Sequence, residues 1–300
     1  MHCCSIASHI DKTLVWQKPT PPAASNSEWL KLKHGLVRYV ERGNPQAKLT
    51  VLLMPDPPNT IEHMEPLIKI LANDFRVIAY ENLGFGYSSA AASYDFSIAH
   101  NAGLVGEILD QLHIKKAVLA LTCIASLHGL LAAKQRTDKI VGVVLAQASS
   151  LEEAKKWANR VDFKGIIGTP FLGQIALRLG KKKISDLWYG NALPKGADRT
   201  DYLAEALHSF GLGSRFSLAS ALQALKREQM TSEALTIEQD TLVLWGKLDR
   251  THRATRKESI LELLPNGEML ELENCGHFPD LEAPELFANA IFDVAEAQGA

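Results

Sequence analysis

The sequence predicts an α/β protein with a mostly parallel central sheet that is covered by helices. Short, uniformly apolar segments alternate with segments of helical spacing along most of the 300 residues. Strands with apolar side chains on both faces are typical of a buried parallel sheet. One such strand ends abruptly at a cysteine that precedes a helix, which is a second sign of this class. The alternation stops at about residue 150 and resumes at about residue 237, so we expect an insertion there.

The predicted elements follow one another in a regular order. Two strands, 30–33 and 36–41, form an antiparallel pair around a turn at His34-Gly35. The alternating first half then comprises strands at 50–54, 76–80, 117–121 and 141–146 and helices at 61–72, 98–112 and 124–135. The last part comprises strands at 241–245 and 269–272 and helices at 256–264 and 284–297.

These elements divide the chain into three parts. Residues 1–27 are rich in proline and small polar residues, so we expect a loosely packed N-terminal extension. Residues 28–150 and 237–300 form the α/β core. Residues 151–236 contain helical segments, aromatic residues and Gly/Pro breaks but no convincing strand, which predicts a helical lid inserted into the core.

Composition narrows the possible functions. The net charge is −2 and no long basic stripe is present, which argues against nucleic acid as a partner. Four cysteines are too few for a disulfide scaffold and lack zinc-ligand spacing; the terminal set His2, Cys3, Cys4 and His9 is expected to bind nothing. No apolar run approaches the roughly 20 residues of a membrane helix, and no signal peptide is evident. We expect a cytoplasmic protein with reduced thiols and no need of a metal or redox cofactor.

The strand-to-helix corner at Cys123 is the strongest sign of catalysis. An apolar strand ends there and a helical pattern begins at Ile124, so the side chain of Cys123 projects from the sheet edge towards a possible substrate. Asp249 and His277 follow in later loops after strands. This order of cysteine, acid and histidine predicts a nucleophile, an orienting carboxylate and a general base. The structural alternatives are a small buried hydrophobe for Cys123 and a turn-forming role for Asp249.

The chain resembles the α/β-hydrolase superfamily over roughly residues 30–299. Four segments carry the resemblance in order and spacing: Glu81-Asn-Leu-Gly-Phe-Gly-Tyr-Ser88, the elbow around Cys123, Gly246-Lys-Leu-Asp249, and the histidine loop Cys275-Gly-His277-Phe-Pro-Asp-Leu-Glu282-Ala-Pro284. The resemblance implies an α/β-hydrolase fold with an inserted lid, a triad of Cys123, His277 and Asp249, and a backbone N–H of Ile124 that helps to hold the oxyanion.

Three departures from the superfamily pattern affect the expected chemistry. Cys123 stands at a position where most members have serine. Dienelactone hydrolases, polyester synthases and some acyl transferases also have cysteine there, and the thiol favours thioester or acyl-transfer chemistry. Leu121 occupies a position that is normally small, so we expect a relaxed corner or a displaced helix. The loop Met54-Pro-Asp-Pro-Pro58 replaces the usual His-Gly loop. The second oxyanion donor then falls on Pro57, which has no N–H, or after a shift of one residue on Asp56, which adds an anion.

The sequence therefore predicts an enzyme that acts on an ester or thioester with an apolar acyl part through an S-acyl intermediate. Water would resolve this intermediate in a hydrolase, and another thiol or alcohol would resolve it in a transferase, with coenzyme A or a carrier-protein pantetheine as a possible donor or acceptor. Two alternatives stay open: a non-catalytic member that binds a ligand or partner, and an enzyme that uses only His277 and Asp249. Cys275 is expected to pack at a strand end, and His128 to face the packed side of its helix.

Overall fold

The structure, a computed structural model, describes residues 26–298 and contains one nine-stranded sheet. The strands are β1 (Glu28–Leu32), β2 (Gly35–Gly43), β3 (Thr50–Leu53), β4 (Arg76–Tyr80), β5 (Ser89–Ala90), β6 (Ala117–Thr122), β7 (Ile140–Ala146), β8 (Asp240–Gly246) and β9 (Gly267–Leu272). Their order across the sheet is β1-β2-β4-β3-β6-β7-β8-β9, with β5 paired to β2. Strand β2 pairs antiparallel with β1, β4 and β5, and the other five strand pairs are parallel, which confirms the predicted, mostly parallel sheet.

Helices connect and cover these strands. They are α1 (Glu65–Leu71), α2 (Ile98–Gln111), α3 (Ala125–Gln135), α4 (Leu151–Val161), α5 (Leu172–Ala192), α6 (Thr200–Gly211), α7 (Ser214–Arg227), α8 (Ser232–Leu235), α9 (Pro279–Glu282) and α10 (Pro284–Ala297). The helix predicted at 61–72 begins with a 3-10 turn at Ile61–Met64. The helix predicted at 256–264 is a 3-10 helix over Lys257–Leu263. Every helix in residues 26–298 is too short or too polar to cross a bilayer.

The core lies on both faces of the sheet, as the apolar strands require. Strands β3 and β6 are buried at every residue. Alternate side chains of β6 enter two separate hydrophobic clusters: Leu119 and Leu121 belong to one, Val118 and Ala120 to the other. This period of two places consecutive residues on opposite faces of the sheet.

The segment between β7 and β8 is helical throughout its regular structure, in helices α4 to α8. Trp157 of α4 and Leu225 of α7 pack in the same hydrophobic cluster as Cys123. These helices therefore lie over the cysteine-bearing end of the sheet, and their action as a lid stays a prediction. Most of the predicted N-terminal extension, including the cysteine and histidine pairs at residues 2–9, lies outside the described residues.

The corner between β6 and α3 has the geometry of a sharp elbow. Cys123 adopts φ 57°, a left-handed conformation that is costly for a residue with a side chain. Its backbone N–H donates to Ala146 O at 2.8 Å, which holds the elbow to the neighbouring strand. Leu121 fits beside this elbow because the facing position of α3 is Gly129: a Cβ there would lie 2.4 Å from Leu121 Cδ1.

We expect Gly129→Ala to destabilise the protein by about 1–3 kcal/mol, because the new methyl group overlaps the buried side chain of Leu121. Denaturant unfolding of Gly129→Ala, Leu121→Ala and the double variant measures this contact. The free energy of unfolding should fall less in the double variant than the sum of its decreases in the two single variants. Gly103→Ala on α2 is the matched control, because its Cβ would meet nothing within 4 Å. An additive cycle would show that Leu121 and Gly129 are not complementary.

Candidate active site

The three residues predicted as a triad lie together at the carboxyl edge of the parallel strands. His277 Nδ1 lies 2.7 Å from Asp249 Oδ2, and both side chains are fully buried. The sulfur of Cys123 and a ring nitrogen of His277 lie within 4.8 Å of each other. Cys123 follows β6, Asp249 follows β8 and His277 follows β9, so the sheet topology brings together residues more than 150 positions apart in sequence.

Asp249 is held in one orientation by three donors besides the histidine. Gln147 Nε2 donates to Oδ2 at 2.8 Å, and the backbone N–H and the hydroxyl of Thr251 each donate to Oδ1 at 2.7 Å. Although burial opposes ionisation, His277, His252 and the Thr251 hydroxyl lower the pKa of Asp249 below its ordinary value. Asp249 is therefore an ionised acceptor that fixes the tautomer of His277.

His277 lies between two carboxylates. Its backbone N–H donates to Ala192 O at 2.8 Å, and Trp188 packs edge-to-face against its ring. Nε2 lies 3.3 Å from Asp56 Oδ2, without a hydrogen bond of normal geometry. Burial disfavours the charged ring, but Asp249, Cys123 and Asp56 together raise the pKa of His277 well above its ordinary value. The ring is thus a strong proton acceptor.

Cys123 is buried, with 6% of its surface exposed. Its Sγ lies 4.0 Å from His252 Nε2, and the backbone N–H of Ile124 donates towards the sulfur. Burial, followed by the charge of Asp56, raises the pKa of the Cys123 thiol, while His277 acts in the opposite direction. The thiolate is therefore favoured when His277 is charged and Asp56 is neutral.

The loop after β3 places Asp56 in the site and Pro57 at the cavity wall. Both residues line the same cavity as Cys123 and Ile124. Pro57 cannot donate a backbone hydrogen bond. Burial raises the pKa of Asp56, with a further contribution from Asp249. Asp56 is therefore the polar side chain that this loop presents to the cavity, and its alignment with the second oxyanion donor stays a prediction.

Two site residues were not anticipated from the sequence. His252 lies in the loop that carries Asp249, and its ring stacks on Trp157 with the centroids 5.2 Å apart; burial lowers its pKa to about 3. Gln147, at φ 47°, supports Asp249 and accepts a hydrogen bond from Gly246 N. A histidine three residues after the candidate acid is a signal for His252, but Gln147 has none in its own segment.

His128 and Cys275 complete the comparison with the sequence expectations. The expectation that His128 faces the packed side of α3 is met in part: its ring Nδ1 is buried, and its side chain also lines the cavity that contains Cys123. Cys275 packs in the opposite hydrophobic cluster from Cys123, and both are free thiols. Cys275 is therefore a buried packing residue and not a partner of the candidate nucleophile.

An apolar cavity of ≈ 170 Å³ extends from Cys123 into the helical segment between β7 and β8. Aromatic side chains line its walls, among them Phe85, Phe96, Trp157, Trp188 and Phe210. The indole N–H groups of Trp157 and Trp188 have no hydrogen-bond partner among residues 26–298. Buried donors without partners are uncommon, so these N–H groups are available to donate to a ligand oxygen.

Asp280, within the histidine loop, is a buried carboxyl whose two oxygens have no hydrogen-bond partner in the described chain. Burial raises its pKa to about 7. Since the folded-state pKa lies above the unfolded value, the carboxylate destabilises the native state increasingly as pH rises from about 4 to 7. We expect the free energy of unfolding of wild type to fall relative to that of Asp280→Asn between pH 5 and pH 8, by about 3 kcal/mol at most. The exposed Asp293→Asn is the control; an unchanged difference between the two pH values would contradict this assignment.

A sequence model of the alpha/beta hydrolase fold family matches residues 58–284, which is most of the chain. The chain belongs to this family. Haloalkane dehalogenase 2 of Mycobacterium bovis is similar to this α/β-hydrolase at 22% identity over 282 residues, covering 89% of this chain and 94% of the relative.

Solved structures share the fold of this α/β-hydrolase. Epoxide hydrolase A from Mycobacterium thermoresistibile superimposes with a TM-score of 0.76 at 18% identity, covering 90% of this chain and 98% of the other. A thermophilic esterase from Thermogutta terrifontis superimposes with a TM-score of 0.71 at 19% identity, covering the same shares. At these identities the comparison establishes the fold, and the reaction has to be argued from the site.

Proposed function

We propose that this α/β-hydrolase hydrolyses small esters or thioesters through an S-acyl intermediate on Cys123. The observation that supports this most is the position of Cys123, which lies at a φ 57° elbow between an apolar cavity and the His277–Asp249 pair. A strained conformation at a cavity is typical of functional residues, because the surrounding fold has to maintain it. The esterase name of one structural neighbour agrees with this reaction class.

The proposed reaction begins with proton transfer from the Cys123 thiol to His277 Nε2. The imidazolium is stabilised by Asp249, and the thiolate attacks the carbonyl carbon of the substrate. The tetrahedral intermediate collapses to the S-acyl enzyme as His277 returns its proton to the leaving alcohol or thiol. Water then gives a proton to His277 and attacks the thioester carbon. The C–S bond breaks, and the thiol regains its proton as the acid leaves.

The thiol nucleophile favours acyl over alkyl substrates, although the relatives include enzymes named as a haloalkane dehalogenase and an epoxide hydrolase. Attack of Cys123 on a saturated carbon would leave a thioether, which has no carbonyl for water to attack. The thiol would then be consumed after one turnover. Attack on an ester carbonyl leaves a thioester, which water can hydrolyse. We therefore place the substrate among esters and thioesters.

The cavity favours a compact, apolar acyl group. Its volume of ≈ 170 Å³ is close to the ~150 Å³ of cavities that hold one benzene molecule. An acyl group of about the size of benzoyl or butyryl therefore fits, with its ester oxygens near the free indole N–H groups of Trp157 and Trp188. Longer acyl chains would extend beyond this volume.

Intact-protein mass spectrometry tests this proposal. Wild type is incubated with p-nitrophenyl acetate, butyrate, benzoate and palmitate and with phenyl thiobutyrate, and the adduct is located by peptide mapping. The expected result is a transient acyl mass on Cys123, favoured for butyrate and benzoate over palmitate. Cys275→Ala is the matched control, since Cys275 is the other buried free thiol in residues 26–298. It should leave the adduct in place.

The decay of the adduct separates the remaining alternatives. Loss of the acyl mass in water alone indicates a hydrolase, whereas loss only after coenzyme A, pantetheine or an alcohol is added indicates a transferase. If no adduct forms and Cys123 reacts with iodoacetamide no faster than free cysteine, the nucleophile assignment fails. Ligand binding without turnover would then support the non-catalytic alternative.

A further inference from the structure

We propose that Cys123, His252 and His277 form a zinc-binding site, and that zinc bound there blocks the proposed hydrolysis. The inhibitory effect depends on the proposed function, while the binding site itself does not. His252 has no role in the proposed acyl chemistry, although it lies in the same cluster as Cys123 and His277. Sulfur and imidazole nitrogen are the ligand atoms that zinc prefers.

The three side chains converge as ligands would. The Cys123 sulfur and one nitrogen each of His252 and His277 all lie within 4.8 Å of one another, and all three residues are buried. With Zn–N and Zn–S bonds of about 2.0–2.3 Å, tetrahedral ligands are separated by about 3.3–3.8 Å. The sulfur of Cys123 lies 4.0 Å from His252 Nε2. Small side-chain rotations towards the centre of the cluster therefore complete the coordination distances.

His277 is already oriented for metal binding. Its Nδ1 is held by Asp249 at 2.7 Å, which leaves Nε2 directed into the cluster. Nε2 is buried and has no hydrogen-bond partner among the described residues. A carboxylate that fixes the second nitrogen of a histidine is the arrangement seen around protein-bound zinc, where it sets the tautomer and raises the basicity of the ligand.

Asp56 lies outside the cluster of three but supplies negative charge beside it, with one oxygen next to His277 Nε2. Its Oδ2 lies 3.3 Å from His277 Nε2, which equals the expected separation of two tetrahedral ligands. A thiolate from Cys123 and the carboxylate of Asp56 together balance the two positive charges of zinc in this buried setting. Such balance offsets the large cost of placing an uncompensated cation away from water. Zinc on the sulfur would remove the nucleophile and occupy the proton acceptor at once.

Cobalt substitution tests the site without depending on enzyme activity. Metal-free, full-length protein is titrated with Co²⁺ and the absorption spectrum is followed, while equilibrium dialysis gives the zinc stoichiometry. The expected result is one tightly bound ion with a sulfur-to-cobalt charge-transfer band and a tetrahedral ligand-field spectrum. Both signals should be lost in Cys123→Ala and His252→Gln. His128→Gln is the matched control, because His128 lines the cavity but lies outside the cluster.

A double variant, Cys3→Ser with Cys4→Ser, separates this site from the cysteines and histidines near the chain start. Inhibition is then measured on each active variant relative to its own metal-free rate. At a free zinc concentration ten times the Kd, the rate of wild type should fall about tenfold. The rate of His252→Gln should be much less sensitive to zinc. A cobalt spectrum that persists in His252→Gln and Cys123→Ala, or that is lost only in the Cys3/Cys4 variant, would overturn the proposal. Cobalt binding in a protein that forms no acyl adduct would instead contradict only the proposed function.

Discussion

Replacing Cys123 by alanine is expected to lower kcat for a small ester by about 10⁴-fold or more, the range found when a nucleophile that acts within a triad is removed. The loss should be this large because the elbow at φ 57° presents no other nucleophilic side chain at the same point. Steady-state hydrolysis of p-nitrophenyl butyrate, with circular dichroism to confirm folding, measures the effect. The S-acyl mass should vanish in the same variant.

His277→Ala should lower kcat about as much as Cys123→Ala does, because a nucleophile and its base act as one unit. The double variant should lower kcat only a little further. Cys275→Ala, which removes a buried thiol from the opposite hydrophobic cluster, should keep near-wild-type kcat. If activity survives in Cys123→Ala but is lost in His277→Ala, the enzyme uses the histidine and Asp249 alone. Full activity in both variants would place the reaction elsewhere in the chain.

The elements that determine the fold could be predicted from local pattern. The strand at β4 was predicted with both of its bounds, and the helix α3 within one residue, because their apolar periodicity and their ends are encoded locally. The elbow was predictable for the same reason: an apolar strand meets a helical pattern at Cys123. The 3-10 geometry of Lys257–Leu263 was not, since its apolar spacing is also compatible with an α-helix and tertiary packing decides between them.

The site was predictable only in part, because contacts between distant loops leave no local pattern. The pairing of His277 with Asp249 followed from residue type and chain order, and the structure places them 2.7 Å apart. The approach of His252 to Cys123 joins residues 129 positions apart and depends on how the loop after β8 turns back over the elbow. The fit of Leu121 against Gly129 likewise depends on the packing of α3 on β6.

Replacing Asp56 by alanine is expected to lower kcat/KM by about 10²–10³-fold, the loss typical of one oxyanion donor. Asp56 lies at the cavity beside Ile124, in the loop where Pro57 cannot donate, and burial favours its neutral form. A neutral carboxylic acid in an apolar site can donate its O–H to a developing oxyanion. Asp56→Asn preserves size and an N–H donor, so it should retain most of the activity that alanine loses.

The pH dependence distinguishes this donor from a charged Asp56 that merely repels the oxyanion. Because burial raises the pKa of Asp56, its neutral form persists above the ordinary carboxylate range and is lost as pH rises through that raised value. The ratio of wild-type to Asp56→Asn kcat/KM should therefore fall with increasing pH. A ratio that rises with pH, or an Asp56→Ala enzyme faster than wild type, would show that the carboxylate opposes catalysis. Ile124 would then be the sole donor assigned to the oxyanion.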